Sequence, residues 1–319
     1  MPSGEAALST PRRSLDDLAR ALGPGVERDH PLGPLTTYRV GGTAALFVAA
    51  SDEAHLTEVA RCTAGAGVPV LTLGRGSNLL VADRGFDGLV VTLGAGFDTL
   101  DLDGPGGRVR AGAALSLPVL ARRTTAAGLR GLEWAVGVPG SVGGAVRMNA
   151  GGHGSDTAAS LVEYRWVDLA TGLAGDSPAA RLEPGYRHTA LAPTEVVVSG
   201  TFQLEAGDPA EGAATIAEIV RWRRAHQPGG SNAGSVFTNP PGDSAGRLID
   251  ACGLKGFRMG SAEVSAKHAN FIQADPGGSA DDVFSVIRHV QSEVAAATGT
   301  HLRTEVRLLG FSGSEEGWT

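Results

Sequence analysis

Pro69-Val70-Leu71-Thr72-Leu73-Gly74-Arg75-Gly76-Ser77-Asn78 decides how the chain is read. Its first half is a short apolar run of the kind a buried strand carries, and its second half opens a glycine-rich loop at the strand's end, where α/β folds place ligands. Upstream, Ala45-Leu46-Phe47-Val48-Ala49 predicts a strand. Ser51-Asp52-Glu53 then predicts a helix start, and Leu56, Val59 and Ala60 fall on one face of a helix running to about Ala64. The three together make a βαβ-like unit that delivers the chain into Gly74–Asn78. That loop offers successive backbone N–H groups with little Cβ obstruction, so it reads either as a nest for a diphosphate or as an ordinary strand-to-turn connection.

Working outward, residues 1–30 read as a polar N-terminal extension with a short helical pattern over Leu15, Leu18 and Leu22, and Asp103–Gly107 as a surface hairpin. A helix is expected from about Leu115 to Ala127. Residues 131–154 are glycine-dense and apolar, too rich in glycine for a helix and too apolar for a linker, so a folded loop is expected there, wrapped against a flat cofactor or simply against the protein. Strands follow near 161–169 and 195–204, then a helix of about 17 residues from Asp208 that marks a domain boundary. The last hundred residues alternate helix (243–252), strand (270–274), helix (279–298, opened by Ser279-Ala280-Asp281-Asp282 as a capping-box variant) and strand (301–309). The fold class is α+β, without internal repeats.

Glycine accounts for 47 of 319 residues, about twice the usual share, which marks a folded protein with many tight turns. The formal net charge is −7, so there is no basic footprint for nucleic acid. Cys62 and Cys252 form no metal-ligand or disulfide pattern, no metal site is expected, and a reducing compartment fits best. Neither a signal peptide nor a membrane-length apolar run is present, and a soluble cytoplasmic protein is expected. No G-x-G-x-x-G occurs and neither lysine, Lys255 or Lys267, precedes Ser or Thr, which disfavours Rossmann and P-loop sites. Gly234 directly precedes Ser235, so that serine does not sit in a nucleophile elbow. On composition alone it reads as a turn residue.

Nine blocks change the weight of these readings. They are Thr37–Gly42, Gly74–Val81, Gly137–Gly144, Met148–Gly151, Gly185-Tyr186-Arg187, Ala233–Pro240, Ala245–Asp250, Lys267–Ile272 and Thr304–Arg307. In this order, over roughly residues 30–310, the chain resembles the UDP-N-acetylenolpyruvoylglucosamine reductases. The short stretch between Gln227 and Asn232 is similar to the shorter class of that family, which lacks an extra tyrosine-bearing loop.

The resemblance implies a vanillyl-alcohol-oxidase/PCMH-type FAD-binding fold of two subdomains plus a C-terminal α+β substrate-binding domain. The expected division is an extension at 1–30, subdomains at 31–95 and 96–222 (the second joined by a C-terminal strand at 300–319), and a substrate domain at 223–299. It also implies non-covalent FAD, NADPH as electron donor and a small-molecule sugar nucleotide as substrate, reduced from its enolpyruvyl to its lactyl ether for peptidoglycan precursor synthesis. No nucleic-acid or membrane partner is implied, and a monomer is expected. A same-fold FAD oxidoreductase acting on a different substrate is the alternative.

By the same resemblance, Arg187 and Glu305 flank the substrate carboxylate and Ser235 is the proton donor. Without it, Arg187 reads as a surface salt-bridge arginine and Glu305 as a strand carboxylate paired with Arg303 or Arg307. Cofactor contacts are implied for Arg39, Val40 and Gly41, for Gly74, Arg75, Gly76, Ser77, Asn78 and Leu79, and for Gly137, Val138, Pro139, Gly140, Ser141, Gly143, Gly144, Asn149, Ala150 and Gly151. Substrate contacts are implied for Tyr186, Arg223, Arg224, Asn239 and His268. Two departures stand out: His226 occupies a position where many relatives carry lysine, and the 149–154 stretch and Ser261 differ mildly from the commonest forms.

Overall fold

The computed structural model describes residues 12–102 and 105–311. The first eleven residues of the expected extension, the tip of the hairpin at 103 and 104, and the C-terminal segment from 312 lie outside the described residues.

The βαβ reading holds. Asp52 accepts from the His55 N–H at 2.9 Å and starts the helix Glu53–Thr63, which joins the strands Thr43–Ala50 and Val70–Leu73. Both strands pair in parallel with Phe86–Leu93. The fourth strand of this sheet is Glu27–Pro31, antiparallel to Thr43–Ala50. The expected extension is therefore corrected: the helix Arg12–Leu22 buries Leu15, Leu18 and Ala19 in the same core as Leu56, Val59 and Ala60, and residues 27–31 are part of the sheet. Apolar positions three and four apart give that short helix a face to bury, and burial, not helix propensity, fixes it.

A second sheet is wholly antiparallel, in the order Ala174–Pro178, Leu161–Asp168, Glu195–Gln203, Arg108–Gly112, Leu100–Asp101. The helices Leu117–Ala126 and Pro209–His226 cover it; Asp208 accepts from the Ala210 N–H at 2.8 Å and caps the second. Here the glycine-dense stretch holds a helix, Val142–Met148, where a loop was expected. Ser141 accepts from the Gly144 N–H to cap it, and Val142, Ala145 and Val146 are buried. A Cβ at Gly143 would come within 2.9 Å of the Ala113 Cβ. The glycines that weaken the helix intrinsically are what let it lie close on the sheet, and tertiary packing overrides propensity.

A third unit packs the helices Ala245–Ala251 and Ala280–Thr298 on a three-stranded sheet of Arg258–Met259, Ala262–Val264 and Ile272–Ala274. Val283, Val286, Ile287, Val290 and Val294 are all buried, each contributing about 1.5–3 kcal/mol. Ser279 caps this helix by accepting from the Asp282 N–H, but the expected reciprocal bond is absent. The Asp282 carboxylate instead accepts from the Ser261 N–H and O–H, both at 2.7 Å, and the Ser279 N–H donates to the Ser261 hydroxyl at 2.8 Å. The terminal strand is shorter than expected, Arg307–Leu309, and it pairs in parallel with Leu79–Val81. The C-terminal segment thus joins the first unit, not the second, because its hydrogen-bonding edge meets the strand that follows the Gly74 loop. Tyr38, Val40, Leu80 and Ala82 share the third unit's core, so the loop between the first and third units rests on packed ground. Among the described residues no helix is long and apolar enough to cross a membrane.

Candidate functional site

Val70–Leu73 ends at the Gly74 loop, and two cavities open there. One, of about 860 Å³, lies between Thr72, Leu73 and Thr92 of the first sheet and Ala113, Val196 and Val197 of the second. The other, of about 410 Å³, lies beyond the loop under Gly137–Gly140 and reaches Arg187, Ser235 and Glu305. Gly74, Arg75, Ser141, Gly144 and Arg147 line both. The two cavities are of ligand size. Around the smaller one Arg75, Arg147, Arg187, Arg223 and Arg307 stand against a single carboxylate, Glu305, so the site favours an anionic ligand.

Arg187 and Glu305 are 118 residues apart and meet here. The Arg187 Nε donates to Glu305 Oε1 at 2.8 Å, and its Nη2 donates to the Gly151 carbonyl at 2.7 Å. Arg187 has a left-handed backbone, φ +56°, which costs an arginine about 1–3 kcal/mol and is held by the surrounding loop. Asn149 Nδ2 donates to the Gly185 carbonyl at 3.0 Å, and Gly185 bridges His188. The Glu305 side chain is 15% exposed. Burial raises its carboxyl above the usual glutamate range, and the nearby guanidinium pulls the other way with the smaller effect. Neither Arg303 nor Arg307 takes the ion pair; Arg187 does.

Ser235 reaches the same cavity because the residues after it are clamped. Asn270 accepts from the Phe237 N–H at 3.0 Å with its Oδ1 and donates to the Phe237 carbonyl at 2.8 Å, while its own carbonyl accepts from the Val236 N–H. The Glu305 N–H donates to the Val236 carbonyl at 2.7 Å, tying the serine segment to the carboxylate's strand. Among the described residues the Ser235 hydroxyl has no hydrogen-bond partner. A third tie comes from Asn78, whose Nδ2 donates to the Glu305 carbonyl at 3.0 Å and whose carbonyl accepts from the Arg307 N–H.

Of the remaining expected residues, Arg39, Gly74–Leu79, Gly137–Ser141, Gly143, Gly144, Ala150 and Gly151 line one or both cavities. Several others stand off the cavity walls or have their polar atoms engaged within the protein. Val40 is buried in the third unit's core and Gly41 lies against Val81. The Asn149 amide is spent on Gly185, Asp156 and the Ala158 N–H. Tyr186 is exposed, its ring 5.0 Å under the Arg187 guanidinium and off the cavity wall. Arg223 lines the cavity, with its Nε on Gln227 at 2.7 Å, and burial lowers its guanidinium. Arg224, however, is exposed and contributes its carbonyl to Lys267. Asn239 accepts from the Ala245 N–H at 3.1 Å and serves the helix Ala245–Ala251. His268 accepts from the Asn270 N–H and packs on Phe271, and it is Phe271 that faces the cavity.

Arg147, Leu35, Thr36 and Asn232 also line the cavities and were not anticipated. Arg147 lies between the Gly137–Gly144 and Met148–Gly151 blocks, and reading residues 131–154 as a loop left no helix face on which to place it.

An FAD binding domain model matches residues 44–174, and the model of the UDP-N-acetylenolpyruvoylglucosamine reductase C-terminal domain matches 226–309. The reductase of Synechococcus sp. (strain RCC307) is 43% identical over 294 residues, covering 91% of this chain and 96% of the relative. That of Heliobacterium modesticaldum is 42% identical, covering 90% and 92%. The crystal structure of the Thermus caldophilus reductase superposes with a TM-score of 0.79 at 37% identity, over 89% of this chain and 98% of that one.

Proposed function

Because the chain belongs to the UDP-N-acetylenolpyruvoylglucosamine reductase family, we propose a division of labour in which Arg187, Glu305 and Ser235 carry the chemistry and the two glycine-rich walls carry the cofactor. The activity itself follows from the family: the protein is an FAD-dependent oxidoreductase that uses NADPH to reduce the enolpyruvyl ether of UDP-N-acetylglucosamine to the lactyl ether in peptidoglycan precursor synthesis.

The residues present fit FAD. The Gly74 loop and the turn at Gly140–Ser141 face each other so closely that a Cβ at Gly74 would come within 3.1 Å of the Ser141 hydroxyl, and one at Gly140 within 3.1 Å of the Ser77 hydroxyl. Such a cradle admits a flat or phosphorylated ligand only because it is bare of side chains. Bound FAD supplies the hydride that reaches the terminal CH2 carbon of the enol ether.

The protein's own residues do the rest. Hydride addition pushes charge onto the substrate carboxylate as an enolate, and the Arg187 guanidinium stabilises it. Glu305, held towards its protonated form by burial, can stand beside that charge without repelling it. Arg187 is turned onto Glu305, so the two present one face to the carboxylate. Serine is too weak an acid to give up a proton unaided, so the Ser235 hydroxyl transfers its proton only once the adjacent carbon has become basic. The single observation carrying these roles is that Arg187, Glu305 and Ser235, far apart in sequence, line one cavity.

The sheets and their cores support a first subdomain that takes in the helix Arg12–Leu22 and runs to about 95, a second at 96–222 and a substrate domain at 223–299, with the terminal strand added to the first. A monomeric, cytoplasmic protein is the reading that the family resemblance and the use of NADPH favour. The test is an anaerobic absorption spectrum of the purified protein. The yellow colour is expected to bleach with NADPH and return only when the enolpyruvyl sugar nucleotide is added; bleaching without return would assign another acceptor.

A further inference from the structure

The two cavities meet past Gly74, and Arg147 lines both. It stands at the end of the helix Val142–Met148 with one nitrogen committed: Nη2 donates to the Ala192 carbonyl at 3.0 Å and to the Glu195 carbonyl. The Glu195 carboxylate, the acid nearest to balancing it, instead accepts from Arg181 and from the Ala192 N–H. A guanidinium carries five N–H donors. Those on Nε and Nη1 of Arg147 have no partner among the described residues. Burial pulls this guanidinium down to about 10; the Glu195 carboxylate opposes that with a smaller effect, and the neighbouring Arg307 pushes down again. A desolvated cation with no carboxylate hydrogen-bonded to it is costly unless an anion completes its shell.

We propose that Arg147 is a ligand of the FAD diphosphate, binding it at the neck between the cavities, with the adenosine half in the larger cavity and the isoalloxazine half in the smaller one beside Arg187, Glu305 and Ser235. A two-ended ligand with its charge in the middle matches two chambers with an unsatisfied cation between them. Arg75, which also lines both chambers, adds a second positive charge at the same place. The planar guanidinium suits paired phosphate oxygens in a way an ammonium does not. The inference rests on the protein's use of FAD, and its test separates the two.

FAD is removed from the full-length protein and its rebinding is followed by flavin fluorescence, with ADP and adenosine as competitors. Arg147→Gln is expected to weaken FAD and ADP by roughly 10- to 100-fold, the effect of losing charge-assisted hydrogen bonds, while adenosine competes as before. If FAD, ADP and adenosine weaken together, Arg147 only supports the 192–195 turn and the inference is overturned. Unchanged FAD affinity overturns it as well. Arg147→Lys guards against a variant that does not fold: it keeps the charge and loses the fork, and a drop in FAD and ADP affinity smaller than that of the glutamine variant is expected, with no drop at all counting against the inference. Wild-type protein that fails to rebind FAD would instead overturn the cofactor assignment.

Discussion

The two sides of the site are built differently. The cofactor side is backbone: the loop Gly74–Leu79 and the helix Val142–Met148 present main chain and small residues, held in place by neighbours that leave no room for a Cβ. The reacting side is side chain: Arg187, Glu305 and Ser235 come from three separate segments, Arg187 and Glu305 meeting through one side-chain hydrogen bond and Ser235 tied to Glu305 only through the Val236 carbonyl next to it. A wall of backbone is hard to alter without disturbing the fold, whereas a cluster of side chains can lose its chemistry and keep its shape. The contrast predicts that substitutions on the reacting side change rates and those on the cofactor side change stability and loading.

The sharpest way to break the contrast is Ser235→Ala. Flavin reduction by NADPH should stay near the wild-type rate while reoxidation by the sugar nucleotide slows ~10²–10⁴-fold, as expected on losing a proton donor. Equal losses in both half-reactions, measured by stopped-flow absorbance, would return the serine to a positioning role. Glu305→Gln should slow the same half-reaction less, about 10²-fold, and change its pH profile. With the Glu305 pKa raised by burial, the protonated form persists above the usual range and is lost as pH rises through the raised value, so the wild-type rate should fall on that limb and the glutamine variant should stay flat. A declining limb that survives in the variant would assign it to another group.

On the cofactor side, Gly76 has φ +56°, and a Cβ there would lie 2.3 Å from the Leu35 carbonyl oxygen. Gly76→Ala should cost about 3 kcal/mol, visible as a lower midpoint in denaturant, with weaker FAD retention. A variant of unchanged stability would mean that the loop moves freely. The smallest effect tests where Asn239 acts: Asn239→Ala should cost about 1 kcal/mol by releasing the Ala245 N–H and leave KM for the sugar nucleotide unchanged. A raised KM would restore Asn239 to the substrate.

These outcomes follow where sequence reading succeeded and where it did not. Local signals were legible: Asp52 and Asp208 at helix starts, the strand before Gly74, and Ser279 opening the helix Ala280–Thr298. The helix Val142–Met148 was hidden because its glycines argue against helix until the Ala113 wall that requires them is known. Asn149, Asn239 and His268 stand in the right blocks, but their polar atoms have partners within the protein, from two residues away for His268 to thirty-six for Asn149, and only the fold shows which partner a short polar side chain finds. The trio proposed as catalytic was legible only through resemblance, since no periodicity connects residue 187 with residue 305.

Asn78 joins two parts of the chain that are made far apart in time. Its side chain and carbonyl hold residues 305 and 307, more than two hundred positions downstream, and Leu79–Val81 pairs with Arg307–Leu309. During synthesis from the N-terminus, the first sheet is complete long before its neighbouring strand exists. The glycine loop that faces the cofactor therefore waits, half-bordered, for the last tenth of the polypeptide. Contacts of such long sequence separation are slow to close, so cofactor loading is placed after chain completion and not alongside it.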